Sequence, residues 1–344
     1  MLLVTMRAMQ LHRISFGGAF TRRIPENWGT RVQLAGAALF LVVALWGASF
    51  VVVRAAVASY PVVGFLFLRF LLGGSVLLGL AYLRRPDRPR WALVPKPTLA
   101  AAGASLAAGY LTQTIGLALG APIGVAATLT SLVVVLTPAW EWLIRGNAPD
   151  RRVLVSAVLA IGGTLLVCRA AGSSTSFGHP AETLGIGLEV VSAAAFSLQV
   201  VLVGRLGRSL SATALGGAQL LAVALLLAPA LPLTGGLQAL SGAELAAVVF
   251  SALGASAFGF AVQAAAQRHL TPTSAAVIMA TEPGFALVAA VAVGEQSFSL
   301  LALLGLGLLL VGVLAQGERA WHWAVNHLNA LAAGGRLLVR RQGA

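Results

Sequence analysis

The chain has 344 residues, 58% of them hydrophobic and 10% charged, with a net charge of +13 and a mean hydropathy of +0.90. Length alone would suit two soluble domains, but a soluble domain carries about 25% charged residues. The apolar content is enough for ten helices of about 20 residues, the length that crosses a bilayer core, and the continuous rather than alternating runs exclude a β-barrel.

Residues 1–32 carry five arginines without a signal peptide's compact apolar region and cleavage site. They read as a basic cytoplasmic tail, and the first membrane helix as an uncleaved signal anchor. Apolar runs bounded by charge, Pro and Gly then give ten spans: 33–53, 62–83, 98–119, 122–144, 152–168, 184–204, 212–231, 243–267, 273–294 and 298–316. The longest connections are 84–97 and 169–183; the others are short, so consecutive spans run antiparallel. Residues 318–344 combine Trp321, Trp323, Leu328 and Leu331 with Arg336, Arg340 and Arg341. That mix suits an amphipathic helix lying in the inner headgroup region, or a plain basic tail.

The excess of arginine reads as a topology signal and not as a nucleic-acid footprint. With the N-terminus inside, 20 of the 23 Lys and Arg residues fall in inner segments, and only Arg54 and Arg169 fall in outer loops. The last, Arg69, lies within the second span. This distribution places both termini of the multi-pass chain in the cytoplasm.

The two halves repeat. Gly109-Tyr110-x-x-Gln113 followed by Pro122 matches Gly259-Phe260-x-x-Gln263 followed by Pro272, an offset of 150 residues. The same offset sets Arg69 on Gln219 and Trp46 on Phe196. After that the prolines part: Pro122 to Pro138 is 16 residues and Pro272 to Pro283 is 11, which predicts a fourth span longer than the ninth. Five spans per half force the second half to enter the membrane from the opposite side. The expected fold is an all-α polytopic membrane protein, ten transmembrane helices in two inverted five-helix repeats (33–168 and 184–317), an arrangement used for alternating access.

Several segments resemble the EamA family of the drug/metabolite transporter superfamily. Leu45-Trp46-Gly47-Ala48-Ser49-Phe50 is similar to that family's first helix, Phe67-Leu68-Arg69-Phe70 to its second, Ala126 to Leu132 with Pro138 to its fourth, and Thr281-Glu282-Pro283 with Gly294-Glu295 to its ninth. The resemblance covers about 33–317. It implies a secondary transporter of small metabolites or drugs in the inner membrane, with export the expected direction although some members import.

Enzyme chemistry finds no footing. Lys96, the single lysine, follows Pro95, so there is no P-loop. No histidine begins an H-E-x-x-H, both aspartates (Asp87, Asp150) fall in loops, and no G-x-S-x-G occurs. Cys168 is the single cysteine, which excludes disulfides and a cysteine metal site. No cofactor is indicated. The expected partners are a small-molecule substrate and the lipid bilayer.

Depth counting picks the candidate site. At about 1.5 Å per residue, Trp46, Arg69 and Tyr110 lie roughly 12 Å below the outer surface. Phe196, Gln219 and Phe260 lie as deep from the inner side, with Gln113 and Gln263 one turn shallower on their respective sides. Polar groups at such depth need partners or water, which predicts two aromatic–polar layers flanking a central cavity. Each residue also has a plainer reading: packing for the aromatics, interhelical hydrogen bonding for the glutamines, outward snorkelling for Arg69. Glu282, beside Pro283 near the midplane, suits a group that binds and releases protons; Glu189 is the second such candidate. Glu141, Glu244 and Glu295 lie at helix ends and read as solvated. The expected function is therefore a proton-coupled exporter working by alternating access, against an uncoupled facilitator or a non-transporting membrane scaffold. Gly116-x-x-x-Gly120 marks a close helix contact.

Overall fold

The computed structural model describes residues 28–84, 89, 91–146, 149–172, 179–207 and 209–315. The expected C-terminal amphipathic helix, the N-terminal tail up to residue 27 and Arg85, Arg88 and Arg90 of the long basic loop lie outside the described residues. Among the described residues all regular structure is helical.

The first half runs through α1 (Trp28–Val57), α2 (Val62–Leu83), α3 (Lys96–Ala118), the pair α4 (Ile123–Thr130) and α5 (Val133–Arg145), and α6 (Arg151–Gly172). The second half follows the same plan. It has α7 (Pro180–Leu206) and α8 (Ala212–Leu227), the latter prolonged by a 3-10 turn at Ala228–Leu233. A composite rod comes next, made of α9 (Gly242–Val249), a π-helical stretch (Phe250–Phe258) and α10 (Gly259–Ala266). The pair α11 (Pro272–Met279) and α12 (Glu282–Ala292) and then α13 (Leu300–Ala315) complete it.

Seven helical stretches are long and apolar enough to cross a membrane. The expected spans 98–119, 152–168 and 298–316 correspond to α3, α6 and α13, which are not among the seven. Gly, Ser, Thr and Gln dilute α3, and α13 is 16 residues long.

Local chemistry sets the boundaries. Proline opens α3, α7, α11 and α12 at their first positions, where its missing N–H is not needed. Ser211 and Thr271 cap α8 and α11 by accepting from Ala214 N and Ser274 N. Ser241 and Glu244 form a reciprocal capping box on α9. Gly120, at φ +97° with open space around it, makes the turn between α3 and α4. It is therefore a turn residue, and the Gly116–Gly120 spacing does not form one packing face.

The fourth and ninth spans are both broken, at equivalent places. Ser131 N donates to Thr128 O and Val134 N to Ser131 O, at 3.1 and 3.0 Å. At the same 150-residue offset, Thr281 N donates to Ile278 O and Gly284 N to Thr281 O, at 3.1 and 3.2 Å. Each break is one tight i→i−3 turn inside an otherwise α-helical rod. The expected difference in length is corrected: the two stretches, Ile123–Ile144 and Pro272–Ala292, hold 22 and 21 residues. Pro138 sits inside α5 and has no counterpart role to Pro283; the structural equivalent of the Pro283 break is Ser131.

Packing is reciprocal between halves. α2 packs on α8 and α6 on α13, each on its own repeat partner. α3 packs on α7 as the α9–α10 rod packs on α1, and α4 and α5 on α7 as α11 and α12 on α1. The main buried core lies where these pairs meet, around Phe65, Phe70, Leu106, Phe196 and Phe260.

Candidate functional site

At the centre of the bundle is a cavity of about 40 Å³ lined by residues from both halves, Trp46, Arg69, Tyr110, Gln113, Phe196, Phe260, Gln263 and Glu282 among them. A space of that size holds water but not a drug-sized solute, which fills about 300–1,000 Å³. The rings touch one another. Tyr110 stacks edge-on against Phe196 at 5.0 Å and Phe260 at 6.1 Å, and Trp46 lies 5.6 Å from Phe260. The two expected layers are thus one cluster. Counting depth along the backbone separated them, but rings entering from opposite sides close the gap.

Paired glycines make room for the cluster. A Cβ on Gly109 would lie 2.6 Å from Phe196 Cδ1, and one on Gly259 would lie 2.7 Å from Trp46 Nε1. Gly109 and Gly259, like Phe196 and Trp46, are repeat equivalents, so the same device is used twice. The Trp46 indole N–H donates to Ala255 O at 2.7 Å. Ala255 lies in the π-helical stretch, where the widened turn leaves backbone carbonyls free of regular α-helical bonds.

Arg69 does not snorkel. It is 2% exposed, its Nε donates to Ser256 Oγ at 2.7 Å, and its guanidinium lies 4.7 Å from the Tyr110 ring and 5.2 Å from Phe70. Its partners include the Ser256 hydroxyl, the Tyr110 side chain and two aromatic faces. Its repeat equivalent Gln219 lies behind the cavity wall, outside the lining. There Gln219 accepts from Gln199 Nε2 at 2.8 Å, and Gln199 accepts from Gln263 Nε2 at 3.2 Å. This amide ladder links α7, α8 and α10. Gln113 donates to Thr130 Oγ1 at 3.2 Å, tying α3 to the end of α4.

Glu282 begins α12 at the break in the ninth span and faces the cavity while buried. Its repeat equivalent is Leu132, so the cavity is acidic on one side only. Next to it opens a wider vestibule of about 610 Å³, reached by Thr128, Pro283 and Leu287 and rimmed by Arg54, Glu182, Glu295 and Gln296. The two spaces adjoin at the breaks: Glu282 and Thr130 line one, Pro283 and Thr128 the other. At the rim, Arg54 Nη1 donates to Ala121 O at 3.0 Å and Arg54 Nε stands 3.7 Å from Glu295 Oε2. Toward the opposite end, Thr273 donates to Glu141 Oε2 at 2.7 Å, and Pro272 abuts Gly204. Of the glutamates expected as solvated, Glu244 and Glu295 are solvent-accessible, Glu244 accepting from Ser59 at 2.7 Å and Glu295 facing Arg54, while Glu141 is bound by Thr273.

The structure brings seven of the eight expected cavity residues and Glu282 to one site, and leaves Gln219 and Glu189 outside the lining. Sequence reasoning missed Gln199 and Ser256. Gln199 pairs at the 150-residue offset with Ser49, also a cavity residue, but the two share no chemistry that flags them.

These features define a polytopic helical membrane protein with a central amphipathic cavity at the crossing of two broken helices. The chain belongs to the EamA-like transporter family, whose profile matches residues 34–169 and again residues 183–315. That is a family of membrane transporters of the drug/metabolite superfamily, not of enzymes. No curated protein is significantly similar in sequence. A solved structure described as "Crystal structure of protein" has a TM-score of 0.67 at 18% identity, covering 86% of this chain and 99% of that one. The likeness extends the shared fold over nearly the whole helical body.

Proposed function

We propose that this protein is a ten-span secondary transporter of two inverted repeats, working by alternating access and exporting small amphipathic metabolites or drugs in exchange for protons. In this reading both termini are cytoplasmic, in the inner membrane, and the vestibule is the outward mouth. The carrying observation is the central cavity, which places a buried cation (Arg69), a buried acid (Glu282) and five aromatic rings where two discontinuous helices cross. Discontinuous helices at the midplane are the usual site for substrate and coupling ion in inverted-repeat transporters. Arg69 and the rings hold the solute, and Glu282 exchanges it against a proton. Rigid-body rocking of the halves closes the vestibule and opens the Glu141–Thr273 end. The wide vestibule at one end and the Glu141–Thr273 tie at the other favour this over a static scaffold.

The test is solute-dependent conformation. Single cysteines at 46 and 110 in a Cys168→Ala background should react with a small water-soluble thiol reagent from outside. A stabilising solute, found by thermal shift among amino acids, nucleobases and cationic drugs, should change that rate. Labelling unaffected by every stabilising solute, or no stabilising solute in any class, would count against transport.

A further inference from the structure

The seam between α3 and α7 holds a carboxyl that the central cavity does not use. Glu189 has no solvent exposure, and neither Oε1 nor Oε2 has a hydrogen-bond partner among the described residues. Across the seam stands Gly116, where a methyl group would fall 2.8 Å from Glu189 Oε1 and 2.8 Å from the Gly185 carbonyl oxygen. Reciprocally, a methyl on Gly185 would fall 2.8 Å from the Gly116 carbonyl oxygen. The two helices thus touch backbone to backbone, with the carboxyl and two carbonyl oxygens gathered at the contact. A carboxylate there would face acceptors only, an uncompensated buried charge. The neutral acid brings an O–H; Gly116 O already accepts from Ala121 N at 3.0 Å, and a carbonyl has a second lone pair to accept the carboxyl proton.

Among the described residues, Arg54 of α1 reaches the edge of the seam, where it is held by Ala121 O at 3.0 Å. On α3, Gln113 is one turn from Gly116 and Tyr110 two turns. Neither α4 nor α11 carries an ionisable side chain. On α5, Glu141 and Arg145 lie toward the far end, beyond the Trp140 bond to Ala194 O. Glu182 and Arg205 lie at the two ends of α7 itself, and Glu282 lies on α12. Ser192, one turn further along α7, is also buried without a partner among the described residues.

The seam is mechanically joined to the transport path. Gln113 and Leu117 of α3 line the central cavity, and Ala121, just beyond, holds Arg54 at the vestibule rim. Any separation of α3 from α7 moves a cavity wall and the rim together.

We propose that Glu189 is a proton-binding latch, holding α3 against α7 while it carries its proton and releasing the seam when the proton leaves. On release the carboxyl O–H bond breaks, the electron pair stays on the carboxylate, and the proton passes to water entering the seam. The closed form binds the proton more tightly, so it is favoured at low pH and lost as pH rises. The latch rests on the proton-coupled reading above and adds to it a second proton site, outside the cavity and distinct from Glu282.

The test reads the seam without transport. Leu119 packs toward Gly185, whose added methyl would lie 3.3 Å from Leu119 Cβ. A Leu119→Cys reporter in the Cys168→Ala chain, in proteoliposomes without solute, is labelled by a water-soluble maleimide from pH 6 to 9, with Glu189 and with E189Q. Thiol ionisation is common to both, so their ratio isolates Glu189. The expected ratio is near one at pH 6 and several-fold higher with Glu189 at pH 9. A ratio of one throughout overturns the latch, and so does an E189Q chain that does not fold, because the amide is the neutral acid's nearest mimic. The same ratio in an E282Q background separates the two proton sites: persistence supports the latch even if pH-driven transport is absent, and disappearance assigns the response to Glu282 and overturns it.

Discussion

Gly259→Ala tests how the aromatic cluster is held. The added methyl falls 2.7 Å from Trp46 Nε1 and 3.2 Å from Cε2. Contact distances of about 3.5 Å require the indole to retreat by roughly 0.8 Å. Its N–H is fixed to Ala255 O at 2.7 Å, so the retreat stretches or breaks that bond. A buried donor left unsatisfied costs about 1–3 kcal/mol, while Ala in a helix returns about 0.5–1 kcal/mol. The variant should therefore be less stable by up to about 2.5 kcal/mol in detergent unfolding, and solute should stabilise it less. Gly187→Ala is the control, since nothing lies within 4 Å of its Cβ position; it should be neutral or stabilising. Equal stability of the two variants would refute the packing argument.

Gly109→Ala should behave as Gly259→Ala does, through Phe196, if the halves use one device twice; unfolding in detergent measures it. Gln199→Leu strands both Gln219 and Gln263 and should cost about 1–3 kcal/mol by the same assay, with no change in topology. Arg54→Gln removes a half-exposed ion pair, worth at most about 1 kcal/mol, so thermal stability should barely change while vestibule cysteines label faster. Reporter fusions at Pro61, Gly172, Gly236 and Ser297 should read outside and those at Pro86, Gly207 and Gln342 inside; an outside signal at 207 would break the ten-span topology.

Much of the architecture was legible because a bilayer makes simple demands. Long apolar runs punctuated by Pro and Arg can only be helices, and a fixed 150-residue offset between Gly109-Tyr110 and Gly259-Phe260 has few explanations besides duplication. Depth counting set Trp46 and Tyr110 in one layer and Phe196 and Phe260 in another, and not in contact, since backbone rise says nothing of side-chain reach. The break in the fourth span was hidden because Ser131-Leu132 carries no proline, and Pro138 drew attention to the wrong turn. The π-helical stretch left no sequence mark: Phe250–Phe258 reads as ordinary apolar helix, although it receives both the Trp46 indole and Arg69. The vestibule rim joins Arg54, Ala121 and Glu295, far apart in sequence, and no local pattern foretells that meeting.

Proton-coupled exchange through the Glu282 cavity is the central claim, and pH-jump flux in proteoliposomes tests it most directly. A solute that stabilises the protein is loaded inside, the outer medium is acidified, and efflux is followed for wild type and Glu282→Gln side by side. Wild type should export faster with the gradient than without it. The Gln variant, folded and still binding solute, should lose that response. Equal, pH-dependent flux in both would remove Glu282 from the mechanism and contradict the account.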